Sequence, residues 1–329
     1  MNYALLPKIE LHLHLDCSLS YSVVHTLDPS VSFAQYQQEF VAPSVCTDLR
    51  DYLTRAVKGF SLMQTPRQLR LVTLDLLAQL DADGVVYAEI RFAPLLHTQQ
   101  GLAARQVVEA VQEALQEGAT MYKVIPCLIL CTLRHFTEEQ SLETAQLTQF
   151  FFGKGWVVGF DMAGDEAGYS VQKHKKAFAL IKDQGIPFTV HAGEAAGPDS
   201  MWEVLNELGP TRIGHGVRSI EDPKLVNYLI EKKIHLEVCP TSNLQTNIFS
   251  SIGQHSLAAL QRQGVSLSIS TDARMITPVT LSSEYGQLST AFGWSTAEFL
   301  ACNIEALHYA FIDDDRKISL KQMLLTAYQ

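Results

Sequence analysis

Apolar and β-branched residues recur in short runs of strand length: KIELHLHL (8 to 15), VVYAEIRF (85 to 92), MYKVIPCLIL (121 to 130), WVVGFDM (156 to 162), IPFTVHA (186 to 192), TRIGHG (211 to 216), KIHLEVC (233 to 239) and VSLSIST (265 to 271). Between most of these runs the apolar positions switch to helical spacing, as in RQLRLVTLDLLAQL (67 to 80), ARQVVEAVQEAL (104 to 115), VQKHKKAFALI (171 to 181), SMWEVLNEL (200 to 208), PKLVNYLIEK (223 to 232) and HSLAALQRQ (255 to 263). Parallel strands need crossover connections and helices are the usual crossovers, so eight such units predict an α/β fold, a (β/α)8 TIM-type barrel. Two stretches exceed a minimal barrel. SVSFAQYQQEF and DLRDYLTRAVKGFSLMQ predict a helical insertion after strand 1, over the mouth of the barrel. EYGQLSTAFG, TAEFLACNIEALHYAF and SLKQMLLTAY predict extra C-terminal helices that close or brace it. No repeat, low-complexity tract or Pro/Gly/Ser-rich linker marks a border, so one domain spanning 1–329 is expected.

Composition narrows the function classes. With 47% hydrophobic and 18% charged residues the chain can bury a sizeable core. A formal net charge of -10 argues against a protein that coats nucleic acid or an anionic membrane, both of which require clustered Lys and Arg. No apolar run is long enough to span a bilayer, and the N-terminus lacks the basic and apolar regions of an export signal. Six cysteines in 329 residues are too sparse for a disulfide scaffold, so a cytoplasmic location is expected, with Cys127 and Cys131 as buried core thiols.

The candidate chemistry sits at strand ends. His12 and His14 are two apart on the first strand and so project to one side, where both rings can chelate an ion. Strand five ends in His191-Ala192-Gly193-Glu194, strand six in Gly214-His215-Gly216, and strand eight in Thr271-Asp272. The C-terminal ends of barrel strands form the catalytic face, so these side chains should converge from distant parts of the chain. Three histidines with an aspartate suit a borderline divalent ion, zinc first, and zinc lowers the pKa of a bound water to about 7. A hydrolytic step follows, with a histidine and a carboxyl left over for proton transfers.

The motifs LHLHLD, FDMAGDEAG, VHAGEA, RIGHGVRSIED, HLEVCPTSN and STDA, in that order, resemble the adenosine deaminase family of metal-dependent amidohydrolases. The resemblance runs from about Pro7 to the C-terminal helices, and HAGE followed by GHG is its most specific part. It implies one zinc ion per chain held by His12, His14, His191 and Asp272. It also implies His215 as base or electrostatic partner of the water, and Glu194 as the acid that protonates purine N1. Gly164 would bind purine N3 through its backbone N–H, although a tight-turn glycine is equally compatible. Asp16 matches the carboxylate associated with ribose hydroxyls. The implied reaction turns adenosine or deoxyadenosine into inosine and ammonia, with a small-molecule purine nucleoside as the binding partner and neither nucleic acid nor membrane. Asp161 and Asp165 are expected to support neighbouring groups or cap helices.

Two departures from the family pattern bear on the substrate. The family's second aspartate at strand eight, which bonds purine N7, is Ala273 here, so either Arg274 or a water supplies that contact, or the substrate relies on other anchors. Arg274 is the candidate replacement donor, and the alternative for it is that it faces solvent or braces a loop. Cys17 stands where the family often has glycine, and is expected to be a packed side chain. His235 and Glu237 alternate on strand seven and are expected to support the site from behind. Other readings are a deaminase of adenine, of an N6-substituted adenine or nucleotide, or of a 5′-modified adenosine, and a non-catalytic relative that binds adenosine. A cytidine-type zinc deaminase would carry PCxxC, which is absent.

Overall fold

A computed structural model describes residues 2–329. Its strands are β1 (Lys8–His14), β2 (Val85–Phe92), β3 (Ile125–Leu133), β4 (Val157–Ala163), β5 (Thr189–Ala192), β6 (Arg212–His215), β7 (His235–Val238) and β8 (Leu267–Ile269). All pair in parallel, in the orders β1-β2-β3-β4 and β5-β6-β7-β8. Single bridges join the two sheets on both sides: Phe160 with Phe188, and Leu13 with Asp272. His14 N donates to Asp272 O (2.8 Å) and Asp272 N to His12 O (3.1 Å), tying the first strand to the last at the level of the candidate ligands. This is the α/β barrel that the sequence pattern predicts.

The helices are α1 (Tyr21–Leu27), α2 (Phe33–Glu39), α3 (Leu49–Leu53), α4 (Ala56–Ser61), α5 (Pro66–Ala82), α6 (Ala104–Met121), α7 (Glu138–Phe151), α8 (Lys175–Asp183), α9 (Pro198–Glu207), α10 (Pro223–Lys232), α11 (Pro240–Gln245), α12 (Leu257–Arg262), α13 (Leu281–Phe292), α14 (Thr296–Tyr309) and α15 (Asp314–Ala327). The insertion α1–α4 closes over the mouth. Ala42 N donates to Ile276 O (2.9 Å), Cys46 N to Gln245 O (2.7 Å), and the Tyr52 hydroxyl lies 2.7 Å from Thr277 Oγ1. At the opposite end Asn303 of α14 accepts from Ile9 N (2.7 Å), anchoring the C-terminal helices to β1.

Helix α7 was not legible as an apolar stripe because its buried positions are Ser141, Thr144, Ala145, Thr148 and Phe151. They have helical spacing, but hydroxyls occupy three of the five. Thr144 and Thr148 bond the carbonyls four residues back (3.0 and 2.9 Å), which satisfies their hydroxyls within the helix. Strand β8 is shorter than its apolar run because the chain leaves the ladder after Ile269 and turns to positive φ at Asp272 (66°). Among the described residues no helix is long and apolar enough to cross a membrane.

Candidate active site

The barrel interior carries an ionic layer beneath the strand ends. Arg212 donates to Glu89 (2.6 Å) and Glu237 (2.8 Å), while Arg91 donates to Glu237 and Asp161 (2.8 Å each). All five side chains are fully buried. Charged groups survive there because each is paired and hydrogen-bonded; an unpaired one would cost several kcal/mol. The upper carboxylates orient two imidazoles: Glu237 Oε2 lies 2.9 Å from His12 Nδ1, and Asp161 Oδ1 lies 3.3 Å from His191 Nδ1. Both rings therefore turn their Nε2 atoms upward.

These atoms converge. His191 Nε2 lies 3.1 Å from His14 Nε2, and Asp272 Oδ1 lies 3.4 Å from His14 Nε2 and 3.5 Å from His12 Nε2. One ligand atom each from His12, His14, His191 and Asp272 falls within 4.8 Å of all the others. Burial pulls His14 down to about 3 and holds His191 below its ordinary value, so both rings present lone pairs. Two observations fit a divalent cation. His12 Nε2 is buried with no hydrogen-bond partner among the described residues, and the carboxylates of the ionic layer, with Asp272 above them, outnumber its arginines. Asp272 Oδ2 accepts from Ser242 (2.7 Å), which leaves Oδ1 toward the histidines.

Backbone shape aims these groups. Asp272 and His215 adopt positive φ (66° and 62°), which non-glycine residues rarely tolerate and which concentrates at functional sites. Gly214 is required by close approach: a Cβ there would meet His12 Cε1 at 2.8 Å and His191 Cγ at 3.2 Å. Gly164 holds φ at +99° beside the same cavity.

Glu194 and His215 face one another across the cavity, with Glu194 Oε2 3.6 Å from His215 Nε2. Burial, followed by the Asp272 and Glu166 charges, pushes the Glu194 carboxyl well above the usual range. Burial and then the His12 charge hold His215 well below its own. Asn243 Nδ2 donates to His215 Nδ1 (3.1 Å), so a neutral His215 carries its proton on Nε2, directed at the cavity.

Sequence reasoning missed the residue that holds this turn. Glu166 of FDMAGDE accepts from Gly193 N (2.6 Å), Glu194 N (3.0 Å), Ala196 N (2.9 Å) and Ser200 Oγ (2.7 Å). It is buried and fixes the HAGE turn from beneath. Arg91, Ser242 and Asn243 were also missed. The available signal was charge inside an apolar strand, as in VVYAEIRF, which demands a buried partner. Glu166→Gln places an amide NH2 against N–H donors. It should keep the metal and lose kcat by at least about tenfold, because hydrogen bonds to a charged acceptor each contribute about 1.5–3 kcal/mol. Metal analysis beside steady-state kinetics checks this.

The remaining predicted residues divide. Asp16 lines a large outer chamber, accepts from Ala93 N (3.2 Å) and lies 3.7 Å from His97. Gly164 and Cys17 line both this chamber and the inner cavity. Ala273 and Ile276 form an apolar part of the inner wall. Arg274 does not join them, and the expectation that it replaces the N7 donor is corrected. Its Nη2 donates to Glu10 (2.7 Å) and Asp83 (3.1 Å), and its Nε to Thr271 (3.1 Å). Glu10 also accepts from Thr271 N (2.9 Å), so Arg274 braces the strand end behind Asp272. Two buried carboxylates outcompete a single ring nitrogen for the guanidinium. Asp165 accepts from Gly168 N (3.1 Å) within its own loop. Glu237 supports His12 as expected, whereas His235 bonds Ser266 and Ser268 (2.8 and 2.9 Å) and stacks on Tyr309.

A sequence profile described as "Adenosine deaminase" matches residues 7–327. The chain is 36% identical to an adenosine deaminase of Enterococcus faecalis, over 98% of this chain and 97% of that protein. Among solved structures, it is similar to an adenine deaminase from Arthrobacter aurescens (25% identity, TM-score 0.89, 98% of each chain). It is also similar to the Arabidopsis N6-mAMP deaminase (26% identity, TM-score 0.89, 99% of this chain and 100% of that one).

Proposed function

Since the chain belongs to the adenosine deaminase family, we propose that it hydrolytically deaminates a 6-aminopurine nucleoside, adenosine or deoxyadenosine, to the 6-oxopurine nucleoside and ammonia. The observation that carries this reading is a buried carboxyl, Glu194, in one cavity with His14, His191 and Asp272, which together with His12 form the candidate ligand set. The nitrogen-and-oxygen donor set suits zinc, one ion per chain. Such an ion would supply hydroxide from water at neutral pH.

The chain's own groups account for the rest. An aromatic ring resists nucleophilic attack until the negative charge that develops on it is neutralised. Glu194, held protonated by burial and by its carboxylate neighbours, delivers a proton to ring N1 and makes C6 electrophilic. The oxygen of a water molecule adds at C6, the C6–N bond breaks, and the amino group leaves as ammonia. Of the water's two protons one ends on the departing amino group and the other returns to Glu194, while N1 keeps the proton that Glu194 gave it. Of the two roles considered for His215, hydrogen-bond donation to the attacking oxygen is favoured by the Asn243 contact, which occupies Nδ1. Gly164 is assigned to N3 and Asp16 to a ribose hydroxyl. With Ala273 at the inner wall and Arg274 turned away, N7 is left to water. Loss of that contact weakens transition-state binding by about 1–3 kcal/mol without changing the reaction class.

The reading takes residues 1–329 as one catalytic domain, supported by the β1–β8 bridge and the docking of α14 on β1. A cytoplasmic location is supported by six cysteines that are all unpaired. The test is turnover of adenosine, deoxyadenosine, adenine and N6-methyl-AMP by zinc-loaded protein, followed by ultraviolet absorbance and ammonia release. Nucleosides should lead; absence of ammonia from every compound would refute the assignment.

A further inference from the structure

The inner cavity is small, about 50 Å³, and is lined by Glu194, His215 and three of the candidate ligands, His14, His191 and Asp272. It opens into a chamber of about 510 Å³, and the two share His14, Cys17, Leu53, Ala163 and Gly164 as walls. C6 and N9 lie on opposite edges of a purine. With C6 directed at the inner cavity, whatever N9 carries must occupy the chamber. The ribose would be met at its near end by Asp16, which lines the chamber and whose Oδ2 accepts from Ala93 N (3.2 Å). Beyond Asp16 the walls are Leu53, Ala56, Val57, Phe60, Leu96 and Leu133.

A ribose alone leaves these apolar walls without a partner. Val57 lines the chamber and is 52% exposed overall, so an apolar group seated in the chamber would remove part of its surface from water. Recognition of a 5′-phosphate would require convergent cations. The chamber offers Arg50 as its one permanent cation, opposed by Asp16 and Asp165, and burial lowers His135 below its ordinary value.

We infer that this chain accepts 6-aminopurine nucleosides bearing an uncharged apolar group at the 5′ carbon, which seats against Val57 and Phe60, and that it discriminates against nucleoside monophosphates. The inference rests on the deaminase reading and specifies its substrate class. It separates this chamber from the nucleotide use named for the Arabidopsis relative.

The experiment compares kcat/KM of the zinc-loaded protein for adenosine, 5′-deoxy-5′-(propylthio)adenosine and AMP, with Val57→Asp and Val57→Lys alongside. The propylthio compound should match or exceed adenosine, with a gain of up to about tenfold carried by KM because a propyl chain buries several methylene groups. AMP should fall below both. Val57→Asp should lower the ratio of propylthio compound to adenosine, and Val57→Lys should raise the ratio of AMP to adenosine. Any other order among substrates that turn over, or ratios unmoved by both substitutions, overturns the chamber assignment and leaves deamination standing. Failure of all three to release ammonia overturns the deaminase reading itself.

Discussion

His191→Ala is expected to remove bound metal and turnover together while leaving the barrel folded. His191 Nε2 is 3.1 Å from His14 Nε2, so the variant loses one of four donors and the geometry that holds a second. Three donors remain, but the buried carboxylates below no longer act through an imidazole on that side. Without a bound cation, water in the cavity keeps its bulk acidity, far from the value of about 7 that a zinc site confers. Activity should therefore drop by on the order of 10⁴ or more. Asp161 keeps its bond to Arg91 (2.8 Å), so no isolated buried charge is created and the fold should survive. Metal analysis, circular dichroism and ammonia release measure the three quantities separately. Chelator treatment of the unmodified chain should reproduce the loss, with recovery when zinc returns. A metal-free His191→Ala protein with full activity would exclude the site.

Glu194→Gln should separate what His191→Ala joins. The amide keeps the size and planarity of the acid, and the backbone N–H of residue 194 still donates to Glu166 (3.0 Å). Metal content and melting temperature should stay near those of the unmodified chain. Turnover should fall by about 10² to 10⁴, the usual contribution of a positioned acid, because the amide delivers no proton to N1. The loss should appear in kcat more than in KM, since the proposed mechanism protonates N1 as the reaction proceeds rather than on binding. Near-normal kcat would remove Glu194 from the acid role. A variant that lost metal as well would mean that Glu194 acts on the ligand cluster, which it approaches through Asp272.

The contrast between the two variants follows from layering. The candidate ligands sit on β1, on β5 and just past β8, with His12 and His191 held by carboxylates inside the barrel and Asp272 by Ser242, whereas Glu194 sits on a turn held by Glu166. The supports are distinct, so damage to one should leave the other in place. Glu166→Gln tests the second support, since it disturbs the turn without touching the ligands.

Much of this molecule follows from local pattern. Apolar runs separated by helical spacing predict the strands within a few residues, and β2 begins and ends where its run does. The convergence of the strand-end side chains was equally legible, because parallel barrel strands bring all their C-terminal ends to one face. His12, His14, His191 and Asp272 meet there although they are far apart in the chain. What lay beyond the sequence is non-local pairing. Whether Arg274 faced a substrate or a carboxylate depended on Glu10 and Asp83, and Asp83 belongs to a helix end far from strand eight. Glu166 looked like one more acid in a glycine-rich motif until the chain brought four donors to it. Helix α7 hid its buried face behind hydroxyls that the helix itself satisfies. The chamber, too, is assembled from the inserted helices and the ends of β1, β2, β3 and β4, so neither its size nor its apolar wall is written in any one segment. Periodicity is a property of neighbours along the chain, and it reports which face is buried. The partner of a buried charge is chosen by distance in space, and only the folded chain sets that distance.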